Sequence, residues 1–289
     1  MINPVLKKDL KGKMRTWKTT ILISIYVLLL SGIALTMFYF AYSEGGRDYY
    51  SSSYVQSFSM ITTVLIVLQM QIIMLIVPAT TSSSISGEKQ RRTFDILLCT
   101  RLSSGSIVLG KLMTGISQVI LLLVVSIPVY SVLTIYGLIG IGDILLIYGY
   151  FILISIFLGS MGIFLSSVFK KSITSTIVSY LITMFITGGI YVILFIISNI
   201  YYRFDETKGF DFMAKLLYVN PFTGLSGILS NSGGWSGFWR IFTLGKEPSA
   251  SKVLFTNIAT YIGLSILFLV LASIRINPMK KFGNKIRKK

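Results

Sequence analysis

Few residues in this chain are equipped for chemistry. There is no histidine and a single cysteine, Cys99, so the sequence offers neither a Cys/His metal-ligand spacing nor an intrachain disulfide. Cys99 reads as a small apolar residue on an interfacial helix. One stretch imitates a nucleotide site: Gly105-Ser-Ile-Val-Leu-Gly110-Lys111 fits the first seven positions of a P-loop, in which backbone N–H groups cradle phosphate and the lysine reaches the terminal phosphates. The next position should carry Ser or Thr for magnesium, and it is Leu112. An apolar run follows and no strand precedes it, so Lys111 reads as a snorkelling anchor at a membrane surface.

The densest polar segment spans residues 82–106 and contains Gly87-Glu-Lys-Gln-Arg-Arg-Thr-Phe-Asp-Ile-Leu-Leu98. Thr93 is placed to cap a short helix, Asp95 favours its N-terminus, and Phe94, Leu97 and Leu98 give it an apolar face. Such a helix is too short to span and too apolar to float free, so it docks. Glu88, Arg91 and Arg92 suit a polar protein surface, and lipid alone is the other reading. A second polar set, Gln69, Gln71, Gln118, Tyr180, Thr183, Thr187 and Asn257, lies inside apolar stretches. These groups either hydrogen-bond helix to helix or line a path suited to an amphipathic substrate.

The elements that position these residues are membrane spans. The chain is 53% hydrophobic and 13% charged, with a mean hydropathy of +0.77, far from the averages of soluble domains. A hydrocarbon core about 30 Å thick needs about 20 apolar residues per helix. Stretches at 19–42, 57–81, 107–136, 144–168, 173–200 and 253–274 qualify, which predicts a single all-α polytopic domain of six spans over 1–289. The first stretch is too long for a signal peptide's apolar region and has no small-residue cleavage site after it. Sorting charge by segment fixes the orientation. Residues 1–18, 82–111, 169–172 and 275–289 carry 20 Lys and Arg against Asp9, Glu88 and Asp95, while the other side balances seven basic against seven acidic residues. The net +17 is therefore cytoplasmic, and both termini are expected inside. Positive charge beside spans points to anionic lipid rather than nucleic acid. The spans carry no Asp, Glu, Lys, Arg or His away from their ends, which argues against an ion-coupled carrier.

Residues 2–18 place Leu6, Leu10, Met14 and Trp17 on one helical face and lysines on another, the pattern of a helix lying in the cytoplasmic interface. The third and fourth spans are joined by a tight outer hairpin, and the fourth and fifth by a tight inner one at Lys170-Lys171. Ser155, Gly159, Gly162 and Ser166 would let another helix approach the fourth span closely. The outer segment 201–252 is apolar and aromatic, broken by Asn220-Pro221. It reads as a re-entrant helical element or as an aromatic-belt anchor.

The run Gly87-Glu88 to Thr93-Phe-Asp95-Ile-Leu97, followed by Leu102-Ser and Leu109-Gly110-Lys111, resembles the cytoplasmic signature of type 2 ATP-binding-cassette permeases, and the order of elements is similar along essentially the whole chain. That resemblance implies a permease that binds no cofactor itself, while separate ATPase subunits use ATP and magnesium. It implies that Glu88, Arg91, Arg92, Thr93, Phe94, Asp95 and Leu97 couple the chain to the ATPase, and that helix 2–18 adds a second contact. It also implies a second permease as partner and export across a plasma membrane, expected to be bacterial, of a peptide, drug or lipid-like molecule. A different class, a membrane scaffold that recruits a cytoplasmic partner without transport, shares the same interfacial helices. Co-purification of an ATPase separates the two.

Overall fold

The computed structural model describes Gly12 and residues 17–44, 52–94, 103–135, 139–201, 219–229 and 250–276. Leu6, Leu10, Met14, Asp95 and Leu97 lie outside the described residues. Within them all regular structure is helical, and six helices are long and apolar enough to cross a membrane. Lipid offers backbone N–H and C=O groups no partner, so an apolar run of this length closes its hydrogen bonds internally. The first four spans are Trp17–Glu44, Ser52–Thr81, Ser104–Ile135 and Ile141–Val168. The fifth runs from Ser172–Met184 through one π turn, Phe185–Gly189, into Ile190–Tyr201, and the sixth is Ala250–Ile276. Among the described residues there are also two short helices: an inner one, Ser86–Gln90, and an outer one, Pro221–Leu229. Trp17 opens the first span and is exposed.

The fourth span is the hub, packed against the second, third, fifth and sixth. Its small residues make this approach close. Ser155, Gly159, Gly162 and Ser166 are all buried, and their partners lie within the chain. A Cβ on Gly159 would stand 2.8 Å from Leu112 Cδ1 of the third span. One on Gly162 would overlap the Thr81 hydroxyl of the second span and stand 3.2 Å from the Ser82 N–H nitrogen. Gly115 of the third span meets the Thr81 methyl from the other side, at 2.6 Å from its own virtual Cβ. Thr81 is thus wedged between two spans that carry glycine where they face it. The Gly162→Ala variant is expected to lose about 1–3 kcal/mol through overpacking, read as a lower melting temperature in detergent. Gly263→Ala is the control, because nothing lies within 4 Å of its added methyl.

Where the second span ends, sequence chemistry bends the chain. Pro78 lacks an N–H, and a run of hydroxyl residues follows it. Thr80 and Thr81 donate to the Val77 carbonyl at 3.1 and 2.8 Å, Ser82 donates to that of Pro78, and Ser83 to that of Ala79 at 3.1 Å. Side-chain hydroxyls thereby bond back to carbonyls of the last turn, of which that of Pro78 also accepts the Ser82 N–H at 3.0 Å, the i to i−4 pattern that bends a helix. The chain then turns through residues 82–85 into the inner helix.

Candidate functional site

The inner helix, only five residues long, is fastened to three spans. Ser166 of the fourth span accepts the N–H groups of Ile85 and Ser86 on its hydroxyl oxygen, at 2.9 and 2.8 Å. These are donors that a helix start leaves without intrahelical partners. Lys89 reciprocates by donating to the carbonyls of Ser167 and Ser166, at the C-terminal end of the same span, where cations are favoured. The Gln90 side-chain oxygen accepts the Ser172 N–H at 3.4 Å, at the start of the fifth span, and Ser82 reaches Thr176 of that span at 3.0 Å. Glu88 completes the fastening with an ion pair to Lys111 of the third span, Nζ to Oε1 2.6 Å.

That pair corrects the expectation for Lys111. It does not snorkel; its side chain is 6% exposed and turned into the protein, because a partly buried carboxylate offers more than headgroup water at that position. Residues 105–111 are helical from the outset, so they form no phosphate-cradling loop, and their lysine is committed to Glu88. Glu88 turns one oxygen into the bundle while 22% of its side chain stays exposed.

Beyond Gln90 the chain leaves the bundle by a Schellman-type turn. Arg92 N–H donates to the Lys89 carbonyl at 3.2 Å and Thr93 N–H to that of Glu88 at 3.0 Å, with Arg92 at φ 58°. Glycine is the usual residue at this left-handed position. The Thr93 hydroxyl donates to the Glu88 carbonyl at 3.4 Å, and the residues that it is expected to cap, from Asp95 on, lie outside the described residues. Arg91, Arg92 and Thr93 are exposed, whereas Phe94 is buried with Ile85, Val108, Leu112, Ile163 and Ile276. Lys89 lies 5.7 Å above the Phe94 ring. The site therefore presents two arginines outward on a turn anchored at both ends.

At the opposite end of the bundle a second polar junction holds the outer helix. Asn220 donates to the carbonyls of Ile186 and Thr187 at 3.0 and 2.8 Å, both within the π turn, where the i to i+4 register is broken. The same side chain accepts the Phe222 N–H at 2.9 Å, an N-cap. Tyr150 donates at 2.7 Å to the Pro221 carbonyl and lies 2.8 Å from Asn257 Oδ1, while Asn257 donates to the Asn220 carbonyl at 3.1 Å. Tyr261 donates to the Val219 carbonyl at 2.9 Å. Spans four, five and six thus converge on one turn. Pro221–Leu229 is mostly buried against the fourth and sixth spans.

The six polar residues considered for a path differ in burial within this chain. Gln69 and Asn257 are fully buried, Gln69 donating to Ser126 at 3.1 Å. Thr183 is buried and donates to the Ser179 carbonyl at 2.9 Å. Tyr180 donates to the Leu75 carbonyl at 2.7 Å and keeps part of its surface, as does Gln118, while Gln71 is exposed. Gln69 and Asn257 thus hydrogen-bond to other elements of this chain, whereas Thr183 bonds back within its own span. Ser166, Asn220 and Tyr150 were not singled out as site residues from sequence. Asn220 stood out only as part of a Pro-broken turn, and Ser166 only as a small residue.

The family model described as ABC-2 family transporter protein matches residues 46–274, a stretch that includes the inner helix, Lys111, Ser166 and the outer turn. No curated protein matches the chain.

Proposed function

The chain belongs to the ABC-2 transporter family, and from that premise we propose that it is the membrane half of an ATP-driven exporter, working as a dimer with separate ATPase subunits. It is a multi-pass permease component and not itself catalytic. The observation that carries the finer reading is the inner helix, tied to the third, fourth and fifth spans while Arg91, Arg92 and Thr93 remain exposed. A push on that turn reaches three spans through contiguous hydrogen bonds and one ion pair, the kind of network that carries coupling.

In this mechanism Arg91, Arg92 and Thr93 meet the ATPase, joined by Asp95 and Leu97 further along, and Phe94 anchors the turn. Glu88 passes displacement to Lys111 and so to the third span. ATP and magnesium are used by the partner, which rocks the turn as it closes. The helix at 2–18 adds a second contact through Leu6, Leu10, Met14 and Trp17, and both termini are cytoplasmic. Of the candidate path residues, Gln71, Gln118 and Tyr180 retain surface to face a second permease, and the cargo is a small or amphipathic molecule such as a peptide, drug or lipid.

Arg92 supports this assignment. A non-glycine residue at φ 58° costs about 1 kcal/mol, and strain of this kind collects at contact sites. Arg92→Gly is expected to preserve or raise the melting temperature while weakening association with the ATPase. The decisive experiment is purification of the tagged chain from its native membrane. An ATP-hydrolysing subunit should accompany it, and Arg91→Glu with Arg92→Glu should weaken that association about tenfold or more, a change of roughly 1.4 kcal/mol. ATPase binding untouched by the double reversal would remove these residues from the interface, and a fully functional chain with no ATPase would sink the exporter reading.

A further inference from the structure

Midway through the bundle lies a polar node that neither end of the molecule uses. Ser126 of the third span is hydrogen-bonded to capacity: it donates to the Leu123 carbonyl at 2.8 Å, accepts from Gln69 at 3.1 Å, and pairs with the Tyr148 hydroxyl at 2.8 Å. A hydroxyl has one proton and two lone pairs, so the Tyr26 hydroxyl, which lies beside Ser126 as well, finds no further site on it. Around it, Tyr26 OH, Gln69 Oε1 and Tyr130 OH are buried without a hydrogen-bond partner, in residues 3%, 0% and 2% exposed. Tyr130 packs edge-on to Tyr148, ring centroids 5.8 Å apart.

Three orphaned polar atoms at this depth are expensive, because hydrocarbon supplies no alternative partner. Their chemistry is complementary to one small molecule. Gln69 Oε1 needs a donor, and each phenol has a proton to give and lone pairs to share. Water, with two donors and two acceptors, meets that demand; a buried water typically makes about three such bonds. An apolar occupant meets none of it, and residues 20–43, 52–81, 112–135 and 144–168 of the surrounding spans contain no charged side chain to hold an ion.

We propose that one or two structural waters bind among Tyr26, Gln69 and Tyr130 and fasten the first span to the second and third. The consequence is greatest for the first span, whose buried side chains among the described residues are Tyr26, Leu30 and Ala34 alone. Of these, Tyr26 carries the sole polar group. The water gives that span a hydrogen bond to the bundle.

The test uses the full-length protein in nanodiscs, with water itself as probe. Infrared spectra in D2O and in D2-18O should reveal a sharp internal O–D stretch that shifts with the heavy oxygen. The band should be lost in the Tyr26→Phe, Tyr130→Phe double variant, which keeps both rings and so protects the fold. Melting temperature supplies a second reading with a sign. If water satisfies the hydroxyls, their removal lowers the melting temperature; if they are dry and unpaired, removal raises it. Absence of an isotope-shifted band, a band unchanged in the double variant, or a raised melting temperature would each overturn the proposal. So would a high-resolution structure in which Tyr26 and Gln69 pair directly.

Discussion

Lys111→Met will leave the Glu88 carboxylate, its side chain 22% exposed, without its cation, and the variant will lose up to about 3 kcal/mol of stability. Thermal melting in detergent checks this directly. The remaining Glu88 oxygen has no partner to fall back on, since Oε2 is already buried and unpaired. The inner helix then loses its hold on the third span while keeping Ser166 and the start of the fifth. ATP-driven transport by the reconstituted complex should fall more steeply than ATPase binding, because the exposed arginine turn survives. Two further variants divide structure from charge. Exchange of the pair, Glu88→Lys with Lys111→Glu, should recover part of the loss. Replacing both with Met should restore stability, since a buried pair exchanged for apolar side chains is often neutral or better. If Lys111→Met melts like the wild type, the pair does not hold the inner helix and its part in coupling falls with it.

Asn220→Ala will damage the outer end by a comparable amount. It removes the N-cap of Pro221–Leu229, a loss of about 1 kcal/mol, and strips the donors from the Ile186 and Thr187 carbonyls, at about 1–3 kcal/mol for a buried group left unpaired. The Asn220→Asp variant separates these effects. It keeps the acceptor for the Phe222 N–H and sets a carboxylate against the Ile186 and Thr187 carbonyls, so a defect larger than that of Asn220→Ala belongs to the π turn. Transport assays and melting curves on the two variants, side by side, are the measurement. Export unchanged in Asn220→Ala would mean that the junction of spans four to six is passive during transport.

What the sequence made legible follows from range. The six spans are local facts, apolar runs long enough to cross lipid, and their boundaries fall within a few residues of those expected. The tight turn at Lys170-Lys171 and the buried small residues of the fourth span were legible for the same reason. The inner site was legible as a segment but not as a geometry. Glu88 and Lys111 are 23 residues apart, and Ser166 is 80 from the amide of Ser86; nothing in either neighbourhood says which way a charge or a hydroxyl turns. Lys111 was misread because a lysine near the end of an apolar run looks the same whether it faces headgroups or a carboxylate. The π turn had a faint mark, Thr187-Gly188-Gly189 inside an apolar run, but the partner that fixes it, Asn220, comes 33 residues later.

The hub position of the fourth span also bears on how the protein is made. Synthesis delivers the spans in chain order, so the first three enter the bilayer before the helix that most of the bundle packs against exists. During that interval Thr81 has Gly115 beside it and no Gly162, Lys111 has Glu88 but neither has the Ser166 shelf, and Ser126 waits for Tyr148. A ribosome-bound intermediate ending after Ile135 would hold Gln69 in lipid with at most Ser126 for company. Nascent chains of that length are the ones expected to need an insertase at their side, and release from it should coincide with arrival of residues 141–168.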